Sequence, residues 1–153
     1  VSSSSSSSST SASTAASTIS SSCGPFSCNY VVGSSETSPP YWGTEQVNIT
    51  CTHPLSNFTG RIYVQTTAGA SIGNQYNTFW GGVLSQSNST SASQIIYAWD
   101  INAGQTVVLA AFPLFIEAQF QLNGINQIFA SDTYTIIAES ACTSQVLTQN
   151  GHF

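Results

Sequence analysis

The chain has no lysine, no methionine and a single arginine, Arg61. Charged residues make up 5% of its 153 positions, against roughly 25% in an ordinary soluble domain. One cation cannot neutralise a run of phosphates, which excludes nucleic-acid binding. Nor can it dock the chain on an anionic membrane surface. The longest apolar run, Val107 to Ile116, is interrupted by Pro113 and falls well short of the roughly 20 residues that span a bilayer. Its shortness also excludes the long hydrophobic N-terminal helix on which a type IV pilin assembles. No secretion signal remains, and Val rather than Met at position 1 is what a processed, exported chain would show.

The acids are Glu36, Glu45, Asp100, Glu117, Asp132 and Glu139, giving a formal net charge of −5. Protonating all of them changes little. Self-repulsion and broken ion pairs drive acid unfolding, and both are small in such a chain. The composition suits an acidic or variable surrounding. Attached glycans would supply the solubility that charge usually supplies.

What is present divides the chain in two. In residues 1–22, 17 of the 22 are Ser or Thr, too polar to form a core. Such a segment serves as a solvated or O-glycosylated stalk. Its small side chains equally allow it to lie extended in a groove, with its backbone paired to a sheet edge. In that case Thr10, Ala12, Thr14, Ala16 and Thr18 face one way, and Ile19 faces the other with the intervening residues. If the acceptor is another copy, the contact is head-to-tail and propagates into a filament.

Residues 23–153 form the globular part, since 41% of the chain is hydrophobic and β-branched and aromatic runs recur between turn residues. Strands are expected at 29–32, 46–52, 60–67, 78–84, 94–100, 105–112, 114–122, 125–130, 133–139 and 145–148. Asn123-Gly124 marks a tight hairpin, and no segment keeps a helical period. The expected fold class is all-β: an antiparallel β-sandwich, immunoglobulin-like or jelly-roll-like, with an extended N-terminal tail strand.

Four cysteines, Cys23, Cys28, Cys51 and Cys142, favour two disulfides in an exported chain. Of three connectivities, Cys23–Cys28 with Cys51–Cys142 is preferred. A zinc site is disfavoured by the four-residue gap between Cys23 and Cys28 and by the lack of a nearby His. Sequons place candidate N-glycans on Asn48, Asn57 and Asn88.

A search for catalytic groups yields no expected catalytic residue, metal or cofactor. His53 and His152 have no local nucleophile and carboxylate. A triad of His53, Asp100 or Asp132 and a serine is a chance match among so many serines. Glu117, Asp132 and Glu139 are the carboxylates a glycosidase pair could draw on, but Glu117 reads as an outward-facing strand residue. Tyr41, Trp42, Tyr76, Phe79, Trp80, Tyr97 and Trp99 form either a sugar-stacking platform or, more simply, core packing.

Taken together, the Ser/Thr/Ala-rich extension, charge-poor all-β head, cysteines and sequons resemble the subunits of archaeal thread filaments of thermoacidophiles. The resemblance is one of architecture and composition. It implies an extracellular, glycosylated homopolymer in which each N-terminal tail completes the sandwich of its neighbour. Chaperone–usher pili and bundling pili share this donor-strand principle. The polyserine run also looks like the stalk of a fungal cell-wall protein, which would make the head a secreted carbohydrate-binding domain.

Overall fold

The computed structural model describes residues 23–108 and 113–153. Thr10, Ala12, Thr14, Ala16, Thr18 and Ile19, expected to form the donor strand, lie outside the described residues, as do positions 109–112 of an expected strand.

Among the described residues nine strands follow one another: β1 (Cys28–Glu36), β2 (Trp42–Cys51), β3 (Leu55–Gln65), β4 (Ser71–Asn77), β5 (Leu84–Thr90), β6 (Gln94–Ile101), β7 (Leu114–Gln121), β8 (Thr133–Ser140) and β9 (Val146–His152). They form two sheets, ordered β1-β2-β7-β4 and β5-β6-β3-β8-β9. Every pairing is antiparallel. The fold is an all-β sandwich.

Alternation dictates which face is buried. Val47 and Ile49 of β2, Ile62 and Val64 of β3, Ile95, Tyr97 and Trp99 of β6, Ile116 and Phe120 of β7, and Ile136 of β8 all point between the sheets and are buried. Each such side chain stabilises the fold by about 1.5–3 kcal/mol. The sheets approach closely at Gly60, where a Cβ would lie 2.7 Å from Cδ1 of Ile116.

Three expected strands are corrected. Residues 78–84 are mostly a loop turning at Gly82 (φ +83°). The strands there are the polar segments on either side, β4 and β5. Residues 125–130 are a loop ending in a 3-10 turn, Phe129–Ser131. Ile125 and Ile128 are solvent-exposed there, and Gly124 (φ +77°) turns the chain without closing a hairpin. From 105–108, only Val107 bridges another strand, through Leu55.

The disulfides also differ from the preferred connectivity: they join Cys23 to Cys142 and Cys28 to Cys51. The register of β1 on β2 sets Cys28 directly opposite Cys51, with Cα atoms 4.0 Å apart. Because β1 begins at Cys28 and runs away from residue 23, a small 23–28 loop does not form. Cys23 reaches the β8–β9 turn instead.

Candidate functional site: an open sheet edge and a buried carboxyl pair

The two open sides of the sandwich are built differently. On the side of β4 and β5, amides stitch the sheets together. Nε2 of Gln75 donates to the carbonyls of Ser87 (3.2 Å) and Ala98 (2.7 Å), and Nδ2 of Asn77 donates to Oε1 of Gln86 (2.7 Å). The Tyr97 hydroxyl accepts from the Gly73 amide (3.2 Å) and donates to the Gln119 carbonyl (2.7 Å).

The side of β1 and β9 is open between its ends. Among the described residues β1 pairs only with β2. Its residues Tyr30, Val32 and Ser34 lie opposite Ile49, Val47 and Glu45, all buried, so they belong to the inward face. Yet Val32 is 36% exposed and Ser34 is exposed as well. The Tyr30 hydroxyl is buried with no hydrogen-bond partner among the described residues. Burial, then the neighbouring Tyr134, raises its pKa. Among the described residues no hydrogen bond joins β1 to β9.

The chain leading into β1 is pinned. Phe26 is buried and stacks on His53, with ring centres 5.5 Å apart. The Ser27 amide donates to the Thr52 hydroxyl (3.0 Å), and the Thr52 amide donates to the Ser27 carbonyl (2.9 Å). Next to them lies His53, whose Nδ1 is 2.9 Å from the Ser140 hydroxyl. That hydroxyl oxygen accepts from the amides of Cys142 and Thr143, both at 3.1 Å. With both lone pairs engaged, its proton is left to point toward Nδ1 of His53. The serine is a turn acceptor held by a histidine.

The other groups considered from sequence lie apart. Asp100 is gripped by Nη2 of Arg61 through both oxygens (2.8 and 2.9 Å). Glu117 faces outward on β7 and accepts from Nε2 of Gln119 (2.8 Å), while Glu139 faces outward on β8. Asp132 is buried between the sheets. His53 thus meets a serine, but the oxygens of Asp100 and Asp132 are bonded to Arg61, Gln65 and Gln127 rather than to His53, and Glu117, Asp132 and Glu139 are not brought together. Among the described residues, no three His, Cys, Asp or Glu side chains cluster to hold a metal, and no helix is long and apolar enough to cross a membrane.

Asp132 has an acidic partner that sequence reasoning missed. Glu45 on β2 and Asp132, just before β8, are both fully buried. Asp132 accepts from the Gln65 amide (2.6 Å) and from Nε2 of Gln127 (2.7 Å). Among the described residues no N–H or hydroxyl reaches either carboxyl oxygen of Glu45; the group it meets is Asp132. Two carboxylates have only acceptors, so the pair bonds only if one carries a proton. Burial, then the bond to Asp132 and its charge, pushes the Glu45 pKa up to about 11. A signal was available: Glu45 shares the inward phase of Val47 and Ile49, and Asp132 that of Tyr134 and Ile136.

The aromatic set splits. Phe79, Tyr97 and Trp99 are core, whereas Tyr41, Trp42, Tyr76 and Trp80 are exposed. Of the sequons, Asn57 lies at the bulge that opens β3, Asn88 lies on the edge strand β5, and Asn48 lies mid-strand on the outer face of the four-stranded sheet. No protein-family model matches the chain, and comparison with curated proteins finds no similar sequence.

Proposed function

We propose that this chain is a non-enzymatic, structural subunit of an extracellular, glycosylated filament for adhesion or cell–cell contact, assembled by donor-strand complementation. The tail of one copy, centred on residues 10–19, adds to the β1 edge of the next. The observation that carries this reading is the exposure of inward-facing Val32 and Ser34 beside the unpartnered Tyr30 hydroxyl. An added strand would cover the first two and bring backbone groups to the third. Each new hydrogen bond would contribute about 0.5–1.5 kcal/mol net.

The pinning of residues 23–27 favours a neighbour's tail over the chain's own. Cys23 is tied to Cys142, Phe26 is buried and Ser27 is bonded to Thr52, so this stretch is not free to turn the tail back along β1. The disulfides and the sequons at Asn48, Asn57 and Asn88 fit an exported chain.

The test is electron microscopy of the full chain beside a chain starting at Cys23. The full chain is expected to form filaments and the truncated one to stay monomeric. Filaments of normal length from the truncated chain would refute the mechanism. A secreted carbohydrate-binding domain is the second reading, favoured by exposed Trp42 and Tyr76.

A further inference from the structure

The outer face of the four-stranded sheet carries a lane of residues set by the register. On β2, Trp42, Thr44, Gln46 and Asn48 point outward, alternating with inward Gly43, Glu45, Val47 and Ile49. Across from them on β7 stand Gln121, Gln119, Glu117 and Phe115, in that order. β4 sets Tyr76 beside Glu117, and β1 sets Val31 beside Asn48.

The chemistry along this lane is uniform. Val31 is 56% exposed, Trp42 39% and Tyr76 46%, and Phe115 is half-buried. Between these apolar surfaces lie amides and a carboxylate held in place. Gln119 donates to Glu117 (2.8 Å), and Nε2 of Gln46 donates to Oδ1 of Asn48 (3.0 Å). The chain's one arginine is on the other sheet. The Trp42 ring lies over β4: a Cβ on Gly73 would be 2.9 Å from its Cζ3 atom. Flat apolar faces beside oriented hydroxyl-binding groups suit a neutral saccharide, whose ring faces are C–H and whose edges are hydroxyls.

One end of the lane is Asn48 itself, in the sequon Asn48-Ile49-Thr50. Its Nδ2 donates one hydrogen to the Val31 carbonyl at 3.4 Å, which leaves the second for attachment of a sugar. Asn57 lies opposite Glu139, and Asn88 opposite the buried Tyr97; neither has an exposed apolar side chain directly across from it, as Asn48 has in Val31.

We propose that the lane is the seat of the saccharide attached at Asn48. Its first ring lies between Val31 and Phe115, and the chain runs past Gln46, Glu117 and Tyr76 toward Trp42, about 20 Å at the rise of a strand. This rests on the glycosylation reading above. It assigns the face to this chain's own glycan and makes that glycan a cover for exposed aromatic surface.

Hydroxyl-radical footprinting of the glycosylated full chain tests it, read by peptide mass against Asn48→Gln and, as a second way of removing the sequon, Thr50→Ala. Labelling of Trp42 and Tyr76 is expected to rise several-fold in both variants, with Trp80, in the β4–β5 loop, unchanged. If wild-type Asn48 carries sugar and labelling does not change, the seat is refuted while glycosylation stands. If Asn48 carries no sugar, glycosylation at that site falls and the seat with it.

Discussion

Glu45 gives this protein a pH dependence of unusual sign. An ordinary carboxyl that is ion-paired in the fold has a depressed pKa and destabilises the fold as pH falls. Glu45 is raised, from 4.5 to about 11. Between those values the folded chain keeps a proton that the unfolded chain releases, so stability falls as pH rises. The contribution is complete below pH 4.5 and drops by about 1.4 kcal/mol per unit above it. From pH 4.5 to 7 the loss is about 3 kcal/mol. That figure is insensitive to the folded value so long as it lies well above 7. Against a typical total of about 5–15 kcal/mol, it is a large fraction.

Among the described residues the titratable groups facing Glu45 are Asp132 and the Tyr97 hydroxyl, and Gln127 links Glu36 to Asp132. Urea unfolding at pH 4 to 8, disulfides intact, should show the wild type losing stability with rising pH relative to Glu45→Gln. The variant keeps a donor for Asp132 without a titrating proton. The two should be similar at pH 4, and the variant should be the more stable at pH 7. If the difference between them stays flat across this range, Glu45 is not protonated in the fold and the reasoning fails.

Three further outcomes concern the pinned end of the head and its disulfides. Ser140→Ala strands two turn amides and His53 Nδ1, and should cost about 2–3 kcal/mol in urea unfolding; a loss below about 0.5 kcal/mol would show that water replaces the hydroxyl at no cost. Non-reducing digestion should yield linked peptides 23 with 142 and 28 with 51. Removing the 23–142 bridge should cost more than removing 28–51, about 5 against 3 kcal/mol, because it closes the longer loop; the reverse order would place the constraint elsewhere.

The fold was legible where both faces of a strand speak. Ile95-Ile96-Tyr97 and Tyr134-Thr135-Ile136-Ile137 are dominated by β-branched and aromatic residues, and both lie in strands. β4 and β5 were not legible, because they are edge strands with mostly exposed side chains. Ser-Ile-Gly-Asn-Gln-Tyr-Asn and Leu-Ser-Gln-Ser-Asn-Ser-Thr have loop compositions and are held by backbone pairing to β7 and β6. Conversely, Ile125 and Ile128 have strand character and stand in solvent. Disulfide partners depend on register, which no spacing along the chain reveals: Cys28 meets Cys51 because Val32 meets Val47. Glu45 escaped notice because a carboxyl in an inward phase reads as a break in the pattern until its partner, 87 positions away (132 − 45), is placed beside it.

The fate of the acids explains how a chain this poor in charge is organised. Glu36 is bonded by Asn126 and by the Gln127 amide, and Glu117 by Gln119. Asp132 is bonded by Gln65 and Gln127, and Glu45 meets Asp132. Among the described residues only Asp100 is balanced by a cation, Arg61. Amides thus take the place that lysine and arginine hold in other proteins. An amide keeps its donor at every pH, and its bond to a carboxyl is weakened rather than inverted when the carboxyl takes up a proton. That single partly exposed ion pair is worth about 0–1 kcal/mol, while the buried carboxyl of Glu45 keeps its proton in the fold at pH values where the unfolded chain has released it. Lowering the pH toward 4.5 is therefore expected to favour the fold through Glu45, in a chain whose few charges leave little self-repulsion to oppose it.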